Sequence, residues 1–167
     1  MEQNGSPKRI HVGPDSLEAR AILKLEAGEI SGMGEIRASV KMENTLQPRR
    51  VREFEAVVDT GAVMCLIPQD LAEDLGLETV ERVVVTLADD SKVEMRRVGP
   101  VTLRVAGRFM HTDCLVGPVG CEPLLGQLAM EGMDLVCDPG KRTLTVRPES
   151  PLRPTFKMKR SAAHAFS

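Results

Sequence analysis

The chain has no tryptophan and no tyrosine, and only four phenylalanines in 167 residues. Any core must therefore be aliphatic, filled by Val, Leu, Ile and the nine Met. Without aromatic platforms, recognition of single-stranded nucleic acid by base stacking is not expected. Lys and Arg number 22 against 24 Asp and Glu, so no basic field draws in a phosphate backbone. No apolar run approaches the length of a bilayer span, so no membrane partner is expected. The opening "MEQNGSPKRIHVGPD" lacks the apolar centre of a signal peptide, and a cytoplasmic location is the default. Cys65, Cys114, Cys121 and Cys137 form no C-x-x-C pair and have no His at metal-binding spacing. They read as free, mostly buried thiols, with no metal and no cofactor implied.

What is present is a succession of short apolar-alternating segments. Residues 1–33 are polar at first and carry Gly5, Pro7, Gly13 and Pro14, which suits a flexible or pro-like extension. Within it, 17–30 fits either a short amphipathic helix or an extended arm. "EIRASVKM" (35–42) places Ile36, Ala38, Val40 and Met42 on one side, the pattern of a half-buried strand. "ENTLQPRRV" reads as a polar connector, and "EFEAVVD" (53–59) as the next strand. In "LIPQDLAEDLGL", Pro68 suits a first helical turn, Leu71 and Leu75 share a face, and Gly76 suits the end.

"TVERVVVTL" and "KVEMRRV" form a predicted hairpin around the polar tip "ADDS" (88–91). A second predicted pair, "GPVTLRVAG" and "RFMHTDCLV", turns near Ala106 and Gly107. "QLAMEGM" is a short helical pattern, and "DLVCDPGKRTLTVRP" a last hairpin around Asp138, Pro139 and Gly140. The Pro-rich, then basic segment 149–167 reads as a flexible tail. Many short strands with one or two short helices imply one small, mostly β domain over 34–148.

The segment with chemistry in it is "FEAVVDTGAVMCLIP" (54–68), where Asp59 stands between two apolar runs. A strand-ending Asp can leave the sheet at a turn and face a cleft. Gly61 permits a tight turn and close approach by another backbone, and Thr60 offers a hydroxyl to tie the loop. Buried among apolar neighbours, an ionised carboxylate is costly unless partnered. Acid–base hydrolysis of an amide calls for a second carboxyl in the opposite protonation state. The chain contains a single D-T-G or D-S-G triplet, so a second would come from a second chain in a symmetric dimer. The bland alternative is an Asp that merely caps a turn or helix.

With its surroundings, the triplet resembles the retropepsin-like (retroviral-type, single-domain) aspartic proteases. "AVVDTGA" (56–62) is followed by the "ADDS" hairpin, by "CLVGP", and by "PLLG" (123–126), whose Gly126 lies 67 positions after Asp59. The resemblance covers about 34–148. It implies a closed, β-barrel-like acid protease fold, homodimeric, that hydrolyses peptide bonds with no metal. Asp59 would be the catalytic aspartate, one from each protomer. Thr60 would brace the two loops across the dimer, and Gly61 and Ala62 would shape the loop that meets the substrate backbone. Leu124, Leu125 and Gly126 would support that loop from behind. Leu87, Ala88, Asp89, Asp90, Ser91 and Lys92 would form a flap tip over a polypeptide substrate, the chain's own N-terminal extension being one candidate.

The sequence departs from the family in two places. Val63 and Met64 stand where acidic residues are common, and the tip carries Asp89 and Asp90 instead of a Gly-rich run. Ala62, without a hydroxyl, is expected to move the working range toward neutral pH. The alternative within the same fold is a catalytically silent dimerisation or peptide-binding module.

Overall fold

The computed structural model describes residues 34–158. The 1–33 extension, with its expected helix or arm, and residues 159–167 lie outside the described residues. The chain is mostly β, with nine strands and two one-and-a-half-turn helices among the described residues. In chain order these are β1 (Arg37–Asn44), β2 (Gln47–Val58), β3 (Leu66–Pro68), α1 (Gln69–Asp74), β4 (Glu78–Thr86), β5 (Lys92–Val105), β6 (Arg108–Gly117), β7 (Leu124–Leu125), α2 (Gln127–Gly132), β8 (Leu135–Asp138) and β9 (Thr143–Val146).

Seven strands form one sheet in the order β1-β2-β7-β3-β6-β5-β4, and β1 also pairs with β5. Six strands therefore close a hydrogen-bonded ring, with β4 attached outside it. The core is aliphatic, as the composition requires. Val40, Met42, Ile67, Leu75, Val98, Val101, Leu103, Leu125 and Met133 are essentially excluded from solvent. Ile36, just ahead of β1, and Ala38, Val40 and Met42 on it are all buried, matching their alternation. Burying each aliphatic side chain contributes about 1.5–3 kcal/mol. Among the described residues no helix is long and apolar enough to cross a membrane.

Two expectations need correction. "ENTLQPRRV" is not a connector: its turn is confined to Asn44–Gln47, and β2 already begins at Gln47. Asn44 builds that turn. Its Oδ1 accepts the N–H groups of Leu46 (3.0 Å) and Gln47 (3.2 Å), while its Nδ2 donates to the Leu75 carbonyl (3.0 Å). The first half of β2 is exposed on both faces, so its polar, Arg-rich sequence lacks the alternation that marks a half-buried strand.

The second correction concerns β5. "KVEMRRV" and "GPVTLRV" are one 14-residue strand, not members of separate hairpins. The register shifts between Val98 and Val101. There the strand exchanges its β4 partner, paired up to Gly99, for β1, paired from Val101. Gly99 and Pro100 sit at this irregularity, where a missing N–H is tolerated.

Candidate active site

The stretch Val57-Val58-Asp59 runs parallel to β7, with Val57 opposite Leu124 and Val58 opposite Leu125. The ladder continues one step beyond the strand, because Asp59 N–H donates to the Leu125 carbonyl at 3.0 Å. The chain then turns. Ala62 N–H reaches back to the Asp59 carbonyl (3.3 Å), and Gly61 N–H donates to Asp59 Oδ1 at 2.8 Å. The carboxylate is thus oriented by its own loop, and Asp59 is only half-buried.

The loop is held from behind by the start of α2. Helix-start N–H groups lack intrahelical acceptors. Here Gln127 N–H donates to the Ala62 carbonyl (2.7 Å) and Leu128 N–H to the Val63 carbonyl (3.0 Å). This contact demands glycine at 126, where an added Cβ would lie 2.5 Å from the Met64 carbonyl carbon and oxygen. Leu125 points into the core, and Leu124 faces the cleft described next.

Asp59 opens onto a cleft of about 690 Å³. On one side lie Gly61, Ala62, Val63, Met64, Leu66, Leu115 and Leu124; on the other lie Val83 to Ala88 and Met95 from the β4–β5 hairpin. Apart from Asp59 and Thr86 the lining side chains are apolar. Among the described residues no cluster of His, Cys, Asp and Glu is arranged to hold a metal ion.

The hairpin that forms the far wall projects beyond its support, because β6 pairs with β5 only as far as Arg96. Its tip is closed by Leu87 N–H to the Ser91 carbonyl (2.8 Å) and Asp90 N–H to the Leu87 carbonyl (3.0 Å), with Asp90 in the left-handed region at φ 64°. Ser91 hydroxyl and N–H both donate to Asp89 Oδ1, at 2.5 and 3.1 Å, which holds the Asp89 carboxyl below its usual range. At the hairpin root, Arg97 bridges Glu81 on β4 (2.6 Å) and Asp113 on β6 (3.2 Å).

Cys65, just ahead of β3, and Cys114, on the parallel strand β6, are both buried. Their mutual interaction lowers the Cys65 thiol and raises Cys114, which burial pushes up further. All four cysteines are free, and Cys65, Cys114 and Cys121 are buried.

Asp59, Gly61, Ala62, Leu124, Leu87 and Ala88 therefore share one cleft. Thr60 is exposed on the turn beside it, and Leu125 and Gly126 lie behind the loop. Asp89, Asp90, Ser91 and Lys92 form the hairpin tip, outside the lining. Sequence reasoning missed the cleft wall itself: Val83, Val84, Val85 and Met95 from the hairpin arms, and Met64, Leu66 and Leu115 opposite. The Val-rich run of β4 was the available signal. Comparison with curated proteins gives no match. A family model described as aspartyl protease matches residues 38–131, more than half of the chain and all of the cleft-forming elements. The chain belongs to the retropepsin-like aspartyl protease family.

Proposed function

We propose that the protein is an aspartic endopeptidase acting as a homodimer, with Asp59 of each copy forming the catalytic pair. One observation carries this reading: among the described residues Asp59, oriented by the Gly61 N–H, is the sole carboxylate lining an apolar cleft walled by a projecting β-hairpin. A single carboxylate serves as acid or as base, not both in one step, so the second comes from a second copy related by two-fold symmetry.

The two carboxyls would share a proton, since like charges a few ångströms apart resist joint ionisation. The ionised Asp59 takes a proton from a water held between them. The protonated one donates to the substrate carbonyl oxygen and later helps the amine depart. The backbone of an extended peptide is held in strand-like fashion, and the apolar lining accepts its alternate side chains. The β4–β5 hairpin acts as the flap that excludes bulk water. Thr60, exposed at the turn, braces the partner loop, and the N-terminal extension is a candidate substrate.

The test is cleavage of a mixed peptide library and of reduced casein at pH 5 to 7 by wild type and by Asp59→Asn, with sedimentation of both. The expected outcome is a dimer in both cases, cleavage by wild type, and loss of at least about 10⁴-fold in rate in the variant. A dimer that binds peptides and cuts none at any pH would instead establish a binding module. Equal cleavage by the variant would remove Asp59 from the mechanism.

A further inference from the structure

Two buried thiols take no part in the Asp59 chemistry. Cys65 is 4% exposed and Cys114 is fully buried. The parallel ladder sets Leu66 opposite Leu115 and Ile67 opposite Val116. One step earlier, the same register sets Cys65 opposite Cys114, and the Leu115 N–H donates to the Cys65 carbonyl at 2.9 Å. Side chains alternate along a strand. Leu66 and Leu115 therefore face one way, into the cleft, and Cys65, Ile67, Cys114 and Val116 face the other, into the core. Neighbouring strands lie about 4.8 Å apart. That spacing falls within the Cα separation a disulfide accepts, about 4.4–6.8 Å.

The pair is placed to act on the Asp59 loop. Met64, the residue before Cys65, closes that loop, and its carbonyl is the group packed against Gly126. Met64 and Leu66 both line the cleft, so the Cys65 side chain lies one strand's thickness behind the cleft surface. A molecule the size of hydrogen peroxide reaches it when the loop opens locally. Interaction with Cys114 lowers the Cys65 thiol, burial works against this, and the Gly126 N–H lowers it again. Cys65 thus presents the reactive thiolate more readily than Cys114, which its neighbour and burial keep protonated. A disulfide needs Cβ atoms about 3.5–4.5 Å apart, closer than side-by-side strands hold them. Forming the bond draws the start of β3 toward β6. The Met64 carbonyl already abuts Gly126, so the Asp59 loop shifts with it.

We propose that Cys65 and Cys114 are a redox switch: hydrogen peroxide joins them as a disulfide, which displaces the Asp59 loop and suppresses its activity until a thiol reductant reopens the bond. The loss of activity rests on the endopeptidase reading; the disulfide and the loop displacement do not. In the first step the Cys65 sulfur attacks one peroxide oxygen and the O–O bond breaks. The Cys65 thiol proton completes the departing water, and Cys65 is left as a sulfenic acid. The Cys114 sulfur then attacks the Cys65 sulfur. The S–O bond breaks, and the hydroxyl leaves with the Cys114 proton as a second water. The two sulfurs give up two electrons in all, and these reduce the two peroxide oxygens.

The experiment exposes full-length wild type, Cys114→Ala and Cys114→Val to hydrogen peroxide, then removes the peroxide. Peptide mapping without reductant, amide exchange over 59–64 and casein cleavage at pH 5 to 7 are each read before and after dithiothreitol. Wild type is expected to yield a peptide cross-linked through Cys65 and Cys114, altered exchange in 59–64, and casein cleavage lowered at least about tenfold. Dithiothreitol should reverse all three. Peroxide also oxidises methionine, but dithiothreitol does not reduce a sulfoxide, so the reversible part belongs to the thiols. Neither Cys114 variant should show a reversible change. A wild type that forms no such cross-link overturns the inference. So does a cross-link that leaves exchange over 59–64 unaltered or cleavage undiminished, or a reversible loss of equal size in both Cys114 variants. Absence of cleavage by the reduced wild type strikes at the endopeptidase reading alone; the cross-link and the exchange then still decide whether the pair moves the loop.

Discussion

Gly126 and the Met64 carbonyl approach so closely that no side chain fits between them. A Cβ at 126 would sit 2.5 Å from the carbonyl oxygen, and backbone, unlike a flexible side chain, cannot swing aside. Gly126→Ala is therefore expected to destabilise the domain by about 1–3 kcal/mol, as overpacking does. It should also disturb the Gln127-to-Ala62 bond that supports the Asp59 loop. Gly107→Ala provides the contrast. Nothing lies within 4 Å of its added Cβ, and only the φ of 77° is strained, at about 1–2 kcal/mol. Thermal unfolding of both variants, with peptide cleavage measured below each melting temperature, separates the two: only Gly126→Ala should lose activity beyond its loss of folded protein.

Asp134 makes stability depend on acid. Hydrogen bonds from Ser150 and Thr155 and the bond from Arg147 hold its carboxyl well below the usual carboxylate range. A depressed carboxylate stabilises the fold at pH above its unfolded value, near 3.9, and that contribution is lost as pH falls further through the folded value. Asp134→Asn is thus expected to be less stable than wild type at pH 7, with the gap narrowing below about pH 4. Denaturant titrations at pH 7, 5 and 3 measure the gap. The same variant should expose the Lys157–Met158 bond to trypsin sooner than wild type, because an amide offers one acceptor oxygen where the carboxylate offers two to Arg147, Ser150 and Thr155.

Arg97 governs the root of the β4–β5 hairpin through Glu81 and Asp113. All three side chains are partly exposed, so each pair is worth roughly 0.2–1 kcal/mol and is screened by salt. Arg97→Met is expected to speed amide exchange in 83–95 while leaving β1 and the buried half of β5 unchanged. Added salt should speed that exchange in wild type and have little further effect in the variant. A double-mutant cycle of Arg97 with Asp113 gives the coupling directly; a value indistinguishable from zero would remove the clamp.

Val84 is 67% exposed yet lines the cleft. Val84→Asp should leave stability within about 0.5 kcal/mol, as exposed positions do. It should raise KM for apolar peptides several-fold, because a charge then faces the substrate side chain. Leu103→Ala, in the core, should do the reverse, costing about 2–5 kcal/mol with KM unchanged. Chemical denaturation paired with steady-state cleavage distinguishes them.

Much of the fold was legible where chemistry repeats locally. The inward face of β1, the Ala106–Gly107 turn, the helix ending at Gly76 and the last hairpin follow from alternation and turn residues, which act over a few positions. The D-T-G triplet and "PLLG" were conspicuous for the same reason: a strand-ending Asp and a Gly demanded by close approach leave marks in short strings. The polar first half of β2 was not legible. A strand exposed on both faces has no apolar period, and its ladder to β1 satisfies the backbone whatever the side chains are.

The long-range pairings had no local signature at all. The parallel match of Val57 and Val58 to Leu124 and Leu125 joins segments 67 positions apart in sequence. Only this pairing puts α2 behind the Asp59 loop. The cleft wall arose likewise from how far the β4–β5 hairpin extends past β6, a matter of register across strands. Asp134 joined Arg147, Ser150 and Thr155 because burial made one carboxylate the acceptor for a segment that reads as tail. Local residue chemistry chose the aliphatic core, the turns and the strand-ending Asp59 carboxylate. Three-dimensional packing chose its neighbours, because hydrogen bonds and apolar contacts between distant segments form only once the chain has closed on itself.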